Sequence, residues 1–181
     1  LAPGPEGPGH SLRPVVVTFP VPARVVQPGL VVMVASPPKA SEHFAIPALT
    51  AEQLPQRLDL DALRWLRDHW EGPIIVKGIQ TVEDTKRVLD AGADGVILSN
   101  HGGRQLGRST TPLRVLGEAR QALGPKVPIF IDGGILNGAD IVAGVALGAS
   151  ACFVGRAYLY GLMAGGEDGV ERAARILTSE I

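Results

Sequence analysis

The chain has 181 residues, of which 45% are hydrophobic and 19% are charged, so it can bury a sizeable core and has the composition of a globular protein. Its 17 basic and 18 acidic residues leave a formal charge of −1, which gives no electrostatic reason to expect nucleic acid or an anionic membrane as a partner. The single cysteine, Cys152, excludes an internal disulfide framework. No apolar run approaches the roughly 20 residues that span a bilayer. We therefore expect a cytoplasmic protein, with a peripheral position at the inner membrane left open.

The composition divides the chain near residue 57. Most of the 15 prolines precede that point, and proline disfavours both helices and central strands. Two apolar runs, residues 15–19 and 30–34, are candidate short strands there. We expect residues 1–57 to be poorly specified and partly disordered, and residues 58–181 to form a separate unit. The first residue is Leu1 and not methionine, which suggests a piece of a longer protein.

From residue 58 onward, apolar strands alternate with amphipathic helices. The first helix is predicted to begin at Asp59 or Asp61, where an aspartate can cap it. The pattern then predicts, in chain order, strands at 74–77, 95–100, 128–131 and 151–154, and helices beginning near Thr81, over about 112–123, over about 138–147, and from 156 to the C-terminus.

Strands that are apolar throughout and alternate with helices indicate a parallel sheet covered by helices. Each predicted strand ends in a polar or glycine-rich turn, as at the active-site end of a (β/α)8 barrel. An open doubly wound sheet would show the same alternation, so the pattern alone does not choose between them. A complete barrel takes eight strands, and four clear strands with two weak ones do not close it.

Lys77 is predicted to end an otherwise apolar strand. A partly buried ammonium requires an anionic or strongly polar partner, so Lys77 is a candidate fixed charge beside a ligand. The alternative is a lysine whose head extends from the mouth of the fold into water.

The segment Ser99-Asn100-His101-Gly102-Gly103-Arg104-Gln105 is the most specific pattern in the chain. Histidine exchanges a proton near neutral pH, and the planar arginine fork binds a carboxylate at two points. Two glycines let the loop fold closely around a ligand. A base next to a carboxylate-binding group is what a 2-hydroxy acid requires.

Two later turns, Asp132-Gly133-Gly134 and Gly155-Arg156, are typical of phosphate binding. Glycine exposes backbone N–H groups, the following helix supplies the positive end of its dipole, and Arg156 adds a charge. Glycine is also common in strand-to-helix turns for geometric reasons, so each turn alone is a weak signal.

With the string SNHGGRQL, residues 58–181 resemble the family of FMN-dependent 2-hydroxy-acid dehydrogenases and oxidases, and the tail GRAYLYGLMAGGEDGVERA is similar to that of bacterial L-lactate dehydrogenases. The resemblance implies the C-terminal portion of a TIM (β/α)8 barrel, FMN as cofactor, a small L-2-hydroxy acid as substrate and a homo-oligomer. The electron acceptor implied is oxygen, a quinone or a cytochrome. No metal site and no nucleic-acid partner are predicted.

The family's roles are carried over to matching positions only. His101 would be the catalytic base and would bind substrate together with Arg104, while Lys77 would stabilise the reduced flavin near N1 and the C2 carbonyl. Ser99 would contact the flavin ring. The ribityl chain and phosphate would be bound by Asp132, Gly133, Gly134, Gly155 and Arg156. Whether the α-hydrogen leaves as hydride or as proton stays open.

The chain departs from the family pattern at several points. Leu136 stands where many members have an arginine, and Gly107 where an aspartate is usual. The family's N-terminal half has no counterpart, and residues 17–21 lack the aspartate that orients the catalytic histidine. Three hypotheses follow: an FMN-dependent 2-hydroxy-acid dehydrogenase, an inactive remnant that binds FMN weakly or not at all, and another phosphate-binding barrel. The signature string argues against the third.

Overall fold

A computed structural model describes the backbone of residues 13–17 and 31–36, and residues 59–104 and 107–181 in full. The order of strands and helices predicted after residue 58 is confirmed. The elements are β1 (Arg13–Val17), β2 (Val31–Ser36), α1 (Leu60–His69), β3 (Ile74–Ile79), α2 (Val82–Asp90), β4 (Gly95–Leu98), a short 3-10 helix (His101–Gly103), α3 (Pro112–Leu123), β5 (Ile129–Asp132), α4 (Gly138–Ala146), β6 (Ala151–Phe153) and α5 (Arg156–Ser179).

Side-chain caps fix where three of the helices begin. The Asp59 carboxylate accepts hydrogen bonds from two backbone N–H groups of the first turn of α1, as the sequence predicts. Thr81 caps α2 in the same way, and Asn137 forms a reciprocal capping box with Asp140 at the start of α4. Each cap satisfies backbone donors that have no partner within the helix.

The six strands form one sheet in the order β1-β2-β3-β4-β5-β6. The strands β3 to β6 are parallel, as predicted, and each is joined to the next through a helix. Strand β1 runs antiparallel to β2, and β2 runs antiparallel to β3, so these two strands do not continue the parallel repeat. The described parts of the two apolar runs before residue 57, residues 15–17 and 31–34, thus lie in strands of the same sheet. The domain division near that residue remains a prediction.

The two faces of the parallel strands serve different purposes. Ile74, Val76, Val96, Leu98, Ile129 and Ile131 pack with the helices into the hydrophobic core and are almost completely buried. Side chains alternate between faces along a strand, so Lys77 and Asp132 belong to the opposite face. The functional candidates therefore project away from the helices, at the carboxyl ends of the strands.

At the amino ends of the strands, arginines from the helices bind backbone carbonyls. Arg67 of α1 makes an ion pair with Asp94 (2.9 Å) and donates to the carbonyl oxygen of Gly72 (2.6 Å). Arg120 of α3 donates to the carbonyl oxygens of Gly148 (2.9 Å) and Val127 (2.8 Å). These contacts fix the turns that lead from the helices into the strands, so the arginines at this end of the sheet stabilise the fold.

The sheet edge at β6 is the apolar exposed side of the described structure. The large exposed apolar side chains of the described residues all lie after residue 135, on the turn before α4 and on α4, β6, α5 and the C-terminus. Helix α5 bends at Gly165 and Gly166, which have non-helical backbone angles. None of the helices in the described part of the chain has the length and hydropathy to cross a membrane.

Candidate active site at the carboxyl ends of the strands

A cleft of about 310 Å³ opens at the carboxyl ends of β3 to β6. Its walls come from the turns that follow these strands and from the first turn of α5. The lining residues are Lys77, His101, Gly102, Arg104, Asp132, Gly133, Gly134, Ile135, Leu136, Phe153, Val154, Gly155, Arg156 and Leu159. The turns at the strand ends, each predicted separately from the sequence, therefore line one cavity.

The Lys77 side chain is mostly buried in the floor of this cleft. Its ammonium forms an ion pair with Asp132 (Nζ to Oδ2, 2.7 Å), and the two side chains are only 18% and 19% exposed. It also donates a hydrogen bond to the Ser99 hydroxyl (2.9 Å). The charge of Lys77 is thus compensated within the site, and the side chain does not extend into water.

The loop that carries His101 has an unusual backbone. His101, Gly102 and Gly103 have φ values of 52°, 67° and 75°, all in the left-handed region. Side chains hold this conformation: Asn100 Oδ1 accepts from the Gly102 N–H (3.0 Å), and Asn100 Nδ2 donates to the Thr110 carbonyl oxygen (3.3 Å). A non-glycine residue at positive φ is strained and tends to occur at functional sites, so His101 is held in place by its surroundings.

The environment of His101 favours the neutral imidazole. Burial lowers the pKa of His101 below its ordinary value, and the positive charge of Lys77 lowers it further, while Asp132 acts in the opposite direction. The Nε2 atom is buried and has no hydrogen-bond partner among the described residues. A buried polar atom without a partner is uncommon, so Nε2 keeps an unused hydrogen-bonding position on a residue that lines the cleft.

The turn after β5 and the start of α5 form the opposite wall. Gly133 and Gly134 have φ values of 86° and 87°, which favour glycine. A Cβ on Gly133 would come within 2.8 Å of Asn100 Oδ1, so this glycine also permits the close approach of the two turns. Arg156 lies against the His101 loop, because a Cβ on Gly102 would be 3.5 Å from its guanidinium.

All of the predicted site residues line the cleft except Ser99. Ser99 is fully buried and does not line the cleft itself. Its hydroxyl is bonded to the Lys77 ammonium, which does. Asn100, which shapes the His101 loop, and the apolar lining residues Ile135 and Phe153 are not among the residues predicted from the sequence. An asparagine two residues before a left-handed glycine was a readable signal for Asn100, since asparagine side chains often cap such turns.

The polar groups of the cleft fit a phosphate-bearing cofactor with an electron-accepting ring. Arg156, the N-terminus of α5 and the glycine turn after β5 offer positive charge and backbone space to a phosphate. Asp132 Oδ1 is buried without a partner among the described residues, so it can accept a bond from a hydroxyl of a sugar-like chain. The Lys77 ammonium uses two of its three N–H donors on Asp132 and Ser99, so its third donor would serve a ring that becomes anionic.

Comparison with known proteins supports a flavin cofactor for this cleft. The model of the FMN-dependent dehydrogenase family matches residues 8–181. A Mycobacterium tuberculosis protein that is provisionally named L-lactate dehydrogenase is 52% identical over 124 residues, which are 68% of this chain and 30% of that protein. The (S)-mandelate dehydrogenase of Pseudomonas putida is 47% identical over 134 residues, which are 74% of this chain and 34% of that protein.

A solved structure agrees with the sequence relatives. The crystal structure of (S)-mandelate dehydrogenase described as a monotopic membrane protein superposes with a TM-score of 0.66 at 47% identity, over 74% of this chain and 35% of that one. The fold is accordingly that of part of a TIM barrel, to which the four parallel strands and their helices correspond. The chain spans about a third of the length of the relatives it matches. It belongs to the FMN-dependent dehydrogenase family.

Proposed function

We propose that this chain provides the base, the carboxylate-binding arginine and the phosphate-binding turns of an enzyme that oxidises an L-2-hydroxy acid to the 2-oxo acid with FMN. The observation that carries the proposal is the single cleft that joins His101 and Arg104 to Lys77, Asp132 and Arg156. A base, a carboxylate-binding group and a phosphate-binding wall within one cavity are the parts that this reaction needs.

In this proposal Gly155 and Arg156 would hold the cofactor's phosphate, and Asp132 and the Gly133-Gly134 turn would hold its ribityl chain. Its ring would lie against Lys77, to which the buried Ser99 hydroxyl is bonded. FMN supplies an acceptor for the two electrons that leave the substrate. Lys77 would stabilise negative charge on the reduced ring, because its ammonium is already fixed by Asp132 and Ser99.

His101 takes a proton from the substrate. The low pKa keeps its imidazole neutral near pH 7, so it has a free lone pair for that proton. Arg104 is exposed at the edge of the cleft and binds the substrate carboxylate, which directs the hydroxyl-bearing carbon toward the base. We propose L-lactate as the substrate, because a relative that is 52% identical carries that substrate in its name. The electron acceptor is oxygen, a quinone or a cytochrome.

The test is an FMN titration of the purified chain, followed by anaerobic addition of L-lactate while the flavin absorbance is recorded. Binding followed by bleaching would support the proposal. Binding without bleaching would leave a cofactor site without the proposed activity. A chain that binds no FMN would support the alternative function, an inactive remnant whose motifs are inherited. D-lactate serves as the matched control, since the proposed enzyme acts on the L-isomer.

We also propose that the chain is a homo-oligomer in the cytoplasm or at the periphery of the inner membrane. The exposed apolar side chains on α4, β6 and α5 support this, because surfaces of that kind are usually covered by a partner or a membrane. The relative described as a monotopic membrane protein makes the membrane surface a reasonable second location. We further propose that residues 58–181 form the FMN-binding unit, to whose sheet β1 and β2 add two antiparallel strands.

A further inference from the structure

Ser99 is unusual among the buried residues of the described structure. It and Thr85 are the polar side chains there that are fully buried. The Thr85 hydroxyl donates to the Thr81 carbonyl oxygen within its own helix (2.8 Å), which accounts for it locally. Ser99 instead lies just after β4, between the strands that carry Lys77 and Asp132, and its bonds join separate functional groups.

The Ser99 oxygen accepts two hydrogen bonds. One comes from the Lys77 ammonium (Nζ to Oγ, 2.9 Å) and the other from the His101 backbone N–H (3.1 Å). An ammonium and an amide N–H can only donate, so both acceptor positions of the hydroxyl are used. One buried oxygen atom therefore connects the cation of the site to the backbone of its histidine.

The Lys77 ammonium has a second partner in the site. Asp132 binds the same ammonium at 2.7 Å, so the carboxylate and the Ser99 hydroxyl together fix the position of Nζ. The second bond of Ser99 ends at a residue with φ of 52°, a conformation that needs support. Without the hydroxyl, the cation would be left to Asp132 and the His101 backbone would lose one of its fixed contacts.

We propose that Ser99 is a positioning residue whose hydroxyl couples the Lys77 ammonium to the His101 main chain and fixes charge and base relative to each other before any ligand binds. The inference rests on the proposed function only in taking His101 as the base. Its test uses this chain without ligand, so it is independent of turnover and of FMN binding.

The first experiment is a double-mutant cycle on the His101 pKa, measured by NMR titration of the imidazole in the wild type, S99A, K77M and the double variant. The charged groups that share the cleft with His101 are Lys77, Asp132, Arg104 and Arg156. Ser99→Ala should shift the His101 pKa by about half a unit, because the ammonium loses one of the two bonds that fix its position relative to the imidazole. In the Lys77→Met background the same change should have no effect.

The outcome that overturns the proposal is an equal shift in both backgrounds, or no shift in either. Ser109→Ala is the matched control, since it removes another buried hydroxyl near the same loop, one without a partner among the described residues. That variant should leave the His101 pKa unchanged. If FMN fails to bind while the cycle is non-additive, the proposed function is wrong and the positioning role stands.

A second measurement needs no Lys77 variant, so the proposal stays testable if Lys77→Met does not fold. Hydrogen exchange of the His101 amide should quicken by about tenfold in Ser99→Ala, since its acceptor is lost, and not in Ser109→Ala. Ser99→Cys keeps the side-chain volume with a poor acceptor and should behave like Ser99→Ala. Unchanged exchange in both Ser99 variants would contradict the proposal.

Discussion

Lys77 and Asp132 form an ion pair of 2.7 Å although their strands are not neighbours. Strand β4 lies between β3 and β5, and two strand spacings are about 9.5 Å, so a long side chain must cross the sheet to make the contact. The Ser99 hydroxyl, just after β4, accepts a hydrogen bond from the Lys77 ammonium. The ion pair is therefore built over the carboxyl end of the middle strand, inside the candidate site.

The role of His101 as base is tested by His101→Asn, because asparagine tolerates a positive φ better than alanine does. We expect turnover to fall by about 10²- to 10⁴-fold while the FMN dissociation constant stays within a factor of two or so. His69→Asn on the exposed end of α1 is the control. Loss of flavin in parallel with turnover would show that His101 is part of the cofactor site instead.

The low pKa of His101 also predicts how activity depends on pH. Only the neutral imidazole accepts a proton, so kcat/KM should fall as the pH drops through the pKa of His101. Burial and Lys77 lower that pKa below its ordinary value of 6.5, so the acidic limb should lie below pH 6.5. A limb centred well above pH 6.5 would contradict the neutral base.

Arg104→Lys tests the two-point grip on the carboxylate. A single ammonium cannot reproduce the planar fork, so KM for L-lactate should rise by about tenfold or more. Arg108→Lys, an exposed position four residues further along, is the matched control and should leave KM unchanged. Similar KM values in the two variants would remove Arg104 from the substrate site.

Gly133 and Gly134 provide a test of the turn that requires no activity. Alanine at either position meets the same backbone cost, since the φ values are 86° and 87°. Only at Gly133 would the added Cβ come within 2.8 Å of Asn100 Oδ1, while the space at Gly134 is open. Urea denaturation should show Gly133→Ala to be less stable than Gly134→Ala by about 1–3 kcal/mol. Equal stabilities would mean that the two turns do not touch.

Leu136→Arg should strengthen FMN binding. Leu136 lines the cleft with 53% of its surface exposed, where an apolar side chain gives no charge to a phosphate. An arginine there adds a charge-assisted hydrogen-bond donor, so the dissociation constant should fall by about tenfold and become more dependent on salt. Leu136→Gln controls for the added length and polarity. If Leu136→Gln strengthens FMN binding as much as Leu136→Arg does, charge is not the cause.

Local sequence determined most of the secondary structure and pointed to residues that the fold brings together in one cleft. The caps at Asp59 and Thr81 and the apolar strands are readable because they depend on residues a few positions apart. The segment from Ser99 to Arg104 pointed to a base and a carboxylate-binding group for the same reason. The proposed chemical roles of these residues remain predictions.

Tertiary structure decided which side chains pair, which way the strands run and which residues are buried. The partner of Lys77 lies 55 positions away in sequence, at Asp132, and no local pattern specifies a contact that depends on strand order and on side-chain reach across β4. The same holds for the antiparallel direction of β2 against β3 and for the burial that lowers the pKa of His101. Pairing, direction and burial depend on how distant segments pack, and only the folded chain brings those segments together.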